Sequence, residues 1–206
     1  MRRRWYVVSV GGAAIVGIAV GAALHGRLLG SAGAAPALQG QATWRAGERP
    51  APAIRLRDQT GRKLTLASLR GRTIALTFMD SLCRGACPLE GQMLAAAAAQ
   101  LPATTRPRIV IVSVDPAGDT PVTIGRALRR WNLPAGTIWL RGTRTQLKPV
   151  WDAYRIEVLP VQGGDIAHSS AVYLIDKRGD ERAGFLVPFA PAFVTGDLKV
   201  LGGEAA

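Results

Sequence analysis

From residue 54 onward, apolar and polar positions follow two different rhythms. Ile54 to Arg57 and Lys63 to Leu66 interleave apolar and charged residues on either side of a turn at Thr60-Gly61, which predicts a small hairpin. Thr73 to Met79 and Arg108 to Val114 are almost continuously apolar, the pattern of strands covered on both faces. Between them Leu89 to Leu101, with its alanine run Ala95 to Ala99, favours a helix that ends near Pro102. Thr120-Pro121 reads as the N-cap and first residue of a second helix reaching about Trp131. Thr137 to Arg141 predicts a short strand and Pro149 to Arg155 a short helix. His168 to Asp176 predicts an apolar strand, Lys177 to Gly179 a turn, Glu181 to Leu186 its hairpin partner, and Pro191 to Leu201 a closing helix.

Strand and helix alternate, two strands then pair, and a helix closes the chain. That is the order of a thioredoxin-like α/β sandwich, a central mixed sheet with flanking helices. The first 52 residues differ in character. Arg2, Arg3 and Arg4 precede Trp5 to Leu24, an uncharged run that spans roughly 30 Å as a helix, the thickness of a bilayer core. The expected organisation is therefore a membrane anchor over 1–30, a flexible tether over 31–52, and the thioredoxin-like domain over 53–206. Ala32-Gly-Ala34 would also suit signal cleavage, but the apolar run exceeds the usual h-region of about 7–15 residues, which favours an uncleaved transmembrane helix. Either way the domain is exported. The positive-inside rule keeps the arginines cytoplasmic and puts the domain on the outer side; for a single-pass protein of a bacterial inner membrane, that is the periplasm or outside.

Charge and cysteine content narrow the chemistry. Of the formal net charge of +12, four units belong to Arg2, Arg3, Arg4 and Arg27, which leaves +8 on the remainder. The arginines are scattered and lack aromatic interleaving, which argues against nucleic acid and for a solvated basic surface; where the charge is used, an acidic or membrane-surface partner fits it better. Cys83 and Cys87 are the only cysteines, and a disulfide closing so small a loop would stabilise the fold little. Pro88 fits the first helical turn and sets Cys87 near the N-cap, beside orphan backbone N–H groups that favour thiolate. Such a pair can hold a soft metal or oxidise to a disulfide. His25 sits at the expected membrane boundary. His168 lies where loops at neighbouring strand ends meet in a sandwich of this order, so it is the candidate third ligand. Two sulfurs and one imidazole suit copper(I) and also accept copper(II). A blue-copper site would want a second histidine, and a structural zinc site a fourth ligand such as Asp80. Met79 and Met93 are isolated and fit core packing.

Cys83-Arg-Gly-Ala-Cys87-Pro88, Val114-Asp115-Pro116 with Asp119-Thr-Pro121, and His168-Ser followed by Tyr173-Leu-Ile-Asp176 resemble, in order and spacing, the Sco/SenC family of membrane-anchored copper proteins. The resemblance runs from about Ala53 to the end. It implies a thioredoxin-like fold whose Cys83, Cys87 and His168 bind copper(I) or copper(II). It further implies a periplasmic copper chaperone that helps assemble the dinuclear copper site of cytochrome c oxidase, with the oxidase's copper-bearing subunit as partner and another periplasmic copper chaperone or thiol reductase upstream. Asp115 and Asp119 correspond to acidic positions near the family's site. They are candidates for supporting the ligands or docking a partner, against a plain turn or cap role, for which Asp is favoured anyway. Two positions depart from the family's pattern: Arg84 stands where Pro is common and Ala167 where Asp is. Arg84 should lower the thiolate pKa further, and Ala167 removes a possible orienting carboxylate, though Asp165 is close in sequence. The alternative function is a thiol–disulfide oxidoreductase that keeps oxidase cysteines reduced for metallation. It needs Cys83 and Cys87 but not His168. A peroxidase is a more distant option, since the Pro and Thr that precede a peroxiredoxin's cysteine are missing before Cys83.

Overall fold

The structure is a computed structural model and describes residues 37–160 and 166–205. The expected anchor over 1–30 lies outside them, and among the described residues no helix is long and apolar enough to cross a membrane. In chain order the elements are β1 (Ala42–Thr43), β2 (Arg55–Arg57), β3 (Lys63–Thr65), a 3-10 turn (Leu66–Leu69), β4 (Ile74–Met79), α1 (Ala86–Ala99), β5 (Arg108–Ser113) and α2 (Pro121–Arg130). Then follow β6 (Ile138–Leu140), α3 (Arg144–Ala153), β7 (Val158–Pro160), β8 (Ile166–His168), β9 (Ala171–Ile175), β10 (Glu181–Leu186) and α4 (Pro191–Gly203).

The continuously apolar runs are continuous because both sides of them are covered. The main sheet has the order β1-β10-β9-β4-β5-β6, with β4, β5 and β6 parallel and β9, β10 and β1 antiparallel to their neighbours. Every residue of β4 is buried. Leu76, Phe78, Val110 and Val112 pack on one side with Leu147, Trp151 and Tyr154, while Ala75, Met79, Ile109 and Ile111 pack on the other with Leu94, Ile124 and Leu198. At about 2–5 kcal/mol for a buried Leu→Ala change, Leu76→Ala alone would remove a large part of the domain's stability. The arrangement is mixed α/β, as the alternation of elements requires.

Four boundaries differ from the sequence expectation. The strand expected over His168 to Asp176 is two strands, because Ser169 leaves the sheet: its N–H donates to the Glu157 carbonyl (3.0 Å) and its hydroxyl accepts from the Glu157 N–H (3.2 Å). β8 therefore pairs with β7, in a ribbon separate from the main sheet. The helix expected from Pro149 starts at Arg144, because Thr143 and Gln146 form a reciprocal capping box and Pro149 is tolerated inside. α1 begins at Ala86, one turn before the expected Leu89. From Leu38 the segment expected as tether is part of the domain. The N–H groups of Gln39 and Gly40 donate to the two carboxylate oxygens of Asp197 (2.7 and 3.1 Å), β1 pairs with β10, and Arg49 pairs with the buried Glu181.

Candidate metal centre

The cysteines sit on the connection from β4 into α1, and that connection is braced from below. The Leu82 N–H donates to Asp80 Oδ1 (2.7 Å), the Cys83 N–H to the Asp80 carbonyl (3.2 Å), and the Ser81 N–H to Asp119 Oδ1 (2.8 Å). Asp119, only 1% exposed, also accepts from the Ser113 hydroxyl (2.5 Å) and from Trp139 Nε1–H (3.2 Å) on its other oxygen. One carboxylate thus fastens the cysteine loop to β5 and β6. Burial pushes its carboxyl up to about 6, although the donors around it pull the other way. Burial likewise raises Asp80, and the nearby charge of Asp115 adds to the effect.

Cys83 is half-buried and Cys87 buried, and both are free thiols. The N-cap of α1 is Gly85, which offers no side-chain acceptor, so the first N–H groups of the helix are left for the sulfur beside them. The Cys83 sulfur accepts a hydrogen bond from the Cys87 thiol, the largest cause of a pKa lowered to about 5. Burial opposes the shift, and the N–H groups of Cys87 and Gly85 add to it. The same bond, together with burial, pushes the Cys87 thiol up. Near neutral pH the pair shares one proton, held on Cys87. Arg84, expected to lower the thiolate pKa, is exposed and is not among the causes of the shift; water screens its charge.

Topology brings the histidine to the same place. β9 runs antiparallel to β4, so its start lies at the end of β4 from which the cysteine loop departs. β8 ends three residues earlier with His168. Nε2 of His168 lies 3.4 Å from Cys87 Sγ, while Nδ1 is 3.0 Å from the Ser169 carbonyl. A carbonyl only accepts, so Nδ1 carries a proton, and in the neutral ring Nε2 is left with the free lone pair. Cys87 therefore contacts both the Cys83 sulfur and His168 Nε2, and its single proton can serve only one of them at a time. Among the described residues no group of three or more His, Cys, Asp or Glu side chains is already gathered as a metal site. His25 and Asp165 lie outside the described residues.

The two aspartates expected together play different parts. Asp119 is too deeply buried to dock a partner and instead holds the cysteine loop. Asp115 is half-buried, and its Oδ1 accepts from the Ala117 N–H (3.1 Å) in a local turn. The turn packs tightly: a Cβ on Gly118 would stand 2.0 Å from Asp115 Oδ2 and 2.7 Å from Leu82 Cδ1, so a larger residue there would push those side chains aside.

Sequence reasoning passed over Glu90. It is fully buried one turn after Cys87, with its Oε1 on the Thr77 hydroxyl, which also lies 3.0 Å from the Ala171 carbonyl. The single hydroxyl proton of Thr77 can serve only one acceptor. With that proton on the Ala171 carbonyl, Glu90 is the donor to Thr77 and is a neutral acid, consistent with burial pushing its carboxyl up to about 8. The signal was present in the helical spacing. Cys87, Glu90, Leu94, Ala97, Ala98 and Leu101 recur on one buried face, with a carboxyl among them.

The SCO1/SenC family model matches residues 45–199. A candidate copper-binding protein of Stutzerimonas stutzeri is 31% identical over 147 residues, which cover 68% of this chain and 71% of that one. Among solved structures, Bradyrhizobium japonicum ScoI with copper bound has a TM-score of 0.59 and 26% identity, covering 74% of this chain and 99% of that chain. BsSco, described as a member of the Sco family of cytochrome c oxidase assembly proteins in which a disulfide switch was identified, has a TM-score of 0.64 and 20% identity, covering 80% and 100%.

Proposed function

This chain belongs to the SCO1/SenC family, and on that premise we propose that it is a membrane-anchored, exported copper chaperone that loads the dinuclear copper site of cytochrome c oxidase. The observation that carries the proposal is the contact of His168 Nε2 with Cys87 Sγ beside a Cys83 sulfur that holds negative charge. A thiolate, a second sulfur and an imidazole nitrogen form a donor set soft enough for copper(I) that also accepts copper(II). Copper here is cargo, taken up and passed on by ligand exchange to the oxidase's copper-bearing subunit. Half-buried Cys83 is the sulfur an incoming ligand reaches first; Cys87 is buried, and His168 is half-buried like Cys83. The anchor over 1–30 would hold the domain at the outer face of the bacterial inner membrane, beside an integral recipient.

The protonation pattern fixes a stoichiometry. Cys83 is already thiolate above about pH 5 and Cys87 is not, so loading copper(I) near neutral pH releases one proton rather than two. The decisive test is to add copper(II) to the full chain and record absorption and electron spin resonance beside the His168→Ala variant. A sulfur-to-copper charge-transfer band at one copper per chain, absent from His168→Ala, Cys83→Ala and Cys87→Ala, is the expected result. A tight mononuclear centre that survives loss of His168 would refute the three-ligand site.

A second reading draws on the half-exposed Cys83 thiolate itself. Cys83 attacks a disulfide of the target, one target sulfur leaves as thiolate, and Cys87 loses its proton and displaces the second. The target gains two electrons, and Cys83–Cys87 is left as a disulfide. This activity would persist in His168→Ala, which separates it from copper delivery.

A further inference from the structure

Beside the sulfurs lies a groove that the copper chemistry does not use. It has a volume of about 320 Å³ and is lined by Ser81, Leu82 and Arg84 of the cysteine loop and by Thr123, Arg126 and Arg130 of α2. Arg126 and Arg130 are one helical turn apart on an exposed face, and Val122, 67% exposed, continues that stripe toward the helix N-terminus. Leu82 stands at the loop side, 51% exposed.

Three guanidinium groups share this groove without a counter-charge. The ion pairs formed among the described residues involve Arg49, Arg62, Lys148 and Arg182, and none of the groove arginines. Among the described residues the chain places no acid in the lining of the groove. From Thr120 to Trp151 it has no Asp or Glu against six Arg and Lys, while Asp119 and Glu90 nearby are buried and engaged elsewhere. Like charges held together in a concave, partly apolar site create a local positive potential that favours an anionic ligand. The apolar residues beside the arginines suit a polypeptide that places aliphatic side chains between its carboxylates, more than a small anion.

We propose that the groove between the cysteine loop and α2 is the docking site for an acidic segment of a partner protein, held by Arg84, Arg126 and Arg130. The proposal deepens the chaperone reading and rests on it. Ser81 to Arg84 form both the wall of the groove and the approach to Cys83, so a segment seated there holds its own ligands next to the exposed sulfur. Docking by charge gives rapid, salt-sensitive association, which suits a transfer that must also end in release.

The test uses the full chain in neutral detergent with a fluorescent oligoglutamate peptide as probe. The groove variant Arg84→Gln/Arg126→Gln/Arg130→Gln is compared with Arg55→Gln/Arg57→Gln/Arg144→Gln, which removes equal charge on other elements. At low salt the groove variant should bind the peptide about tenfold more weakly and the control within about twofold of wild type, the scale of three exposed charge pairs. The peptide should also slow alkylation of Cys83 in the wild type but not in the groove variant. Equal losses in both variants, or none in the groove variant, would overturn the proposal. So would a groove variant that loses binding only to anionic phosphatidylserine vesicles. Copper spectra of the same proteins keep the readings separate: a wild type that binds peptide at the groove yet forms no copper centre sinks the chaperone reading and leaves the docking site standing.

Discussion

The two regions that meet at Cys87 and His168 are built differently. The loop from Asp80 to Gly85, which carries Cys83 into α1, has Asp80 and Ser81 buried and is fastened by Asp119 to the core strands β5 and β6. The β7–β8 ribbon, which carries His168, pairs three residues with three, exposes Ala167, leaves Leu159 half in solvent, and is closed at its base by Ser169 and Glu157. The sulfurs are positioned by the same contacts that hold the fold together. The imidazole is positioned by a local device whose loss the fold would survive. Binding and stability should therefore separate on the ribbon and coincide in the loop.

The largest effect expected is that of Asp119→Ala. It strands the Ser81 N–H, the Ser113 hydroxyl and the Trp139 N–H in the interior, at a cost of about 3 kcal/mol in urea unfolding. The Cys83 loop should loosen with it, moving the midpoint of the pH-dependent alkylation rate upward from about 5. A loss of stability below about 1 kcal/mol would mean that the loop is not braced from the core.

His168→Ala is the opposite case. Its unfolding free energy should stay within about 0.5 kcal/mol of wild type while the copper charge-transfer band disappears. If it unfolds as readily as Asp119→Ala, the ribbon is as structural as the loop and the comparison fails.

A third prediction concerns pH. The Cys83 thiol is lowered from 9.0 to about 5, so its contribution to stability is present above the unfolded value and is lost as pH falls through about 5. Glu90 is raised from 4.5 to about 8, so its contribution is full below the unfolded value and is lost as pH rises through about 8. In the shared window the two oppose each other. Unfolding of Glu90→Gln measured from pH 5 to 8 should show stability rising with pH, and Cys83→Ala should show it falling. Slopes of the same sign would contradict the assignment of a thiolate over a neutral acid.

The smallest effect belongs to Asp115→Asn. An amide oxygen can still accept from the Ala117 N–H, so both stability, within about 0.5 kcal/mol, and the copper spectrum should stay as they were. A lost copper centre would give Asp115 a part in the site that its turn geometry does not explain.

The elements legible in the sequence were those whose environment is uniform. β4 and β5 lie between two covered faces, so nothing in them needs to be polar, and the capping pair Thr120 and Pro121 marks the start of α2 by local chemistry alone. The misplaced boundaries fall where a contact distant in sequence intervenes. Ser169 leaves the strand because Glu157 is there to receive it, and 38–52 is ordered because Asp197 and β10 await it. Glu90 and Asp119 read as an ordinary helix residue and an ordinary turn residue. Only burial among particular partners makes one a neutral acid and the other an anchor.

By itself the sequence determined the alternating α/β order, the two thiols at a helix start, and a candidate histidine on a later strand, because periodicity, capping and residue softness act within a few residues. The tertiary structure decided which sulfur bears the charge, which histidine nitrogen faces the other sulfur, and which carboxylate holds the loop. Those outcomes depend on burial and on contacts between residues up to 81 positions apart, Cys87 and His168, and no local rule contains them.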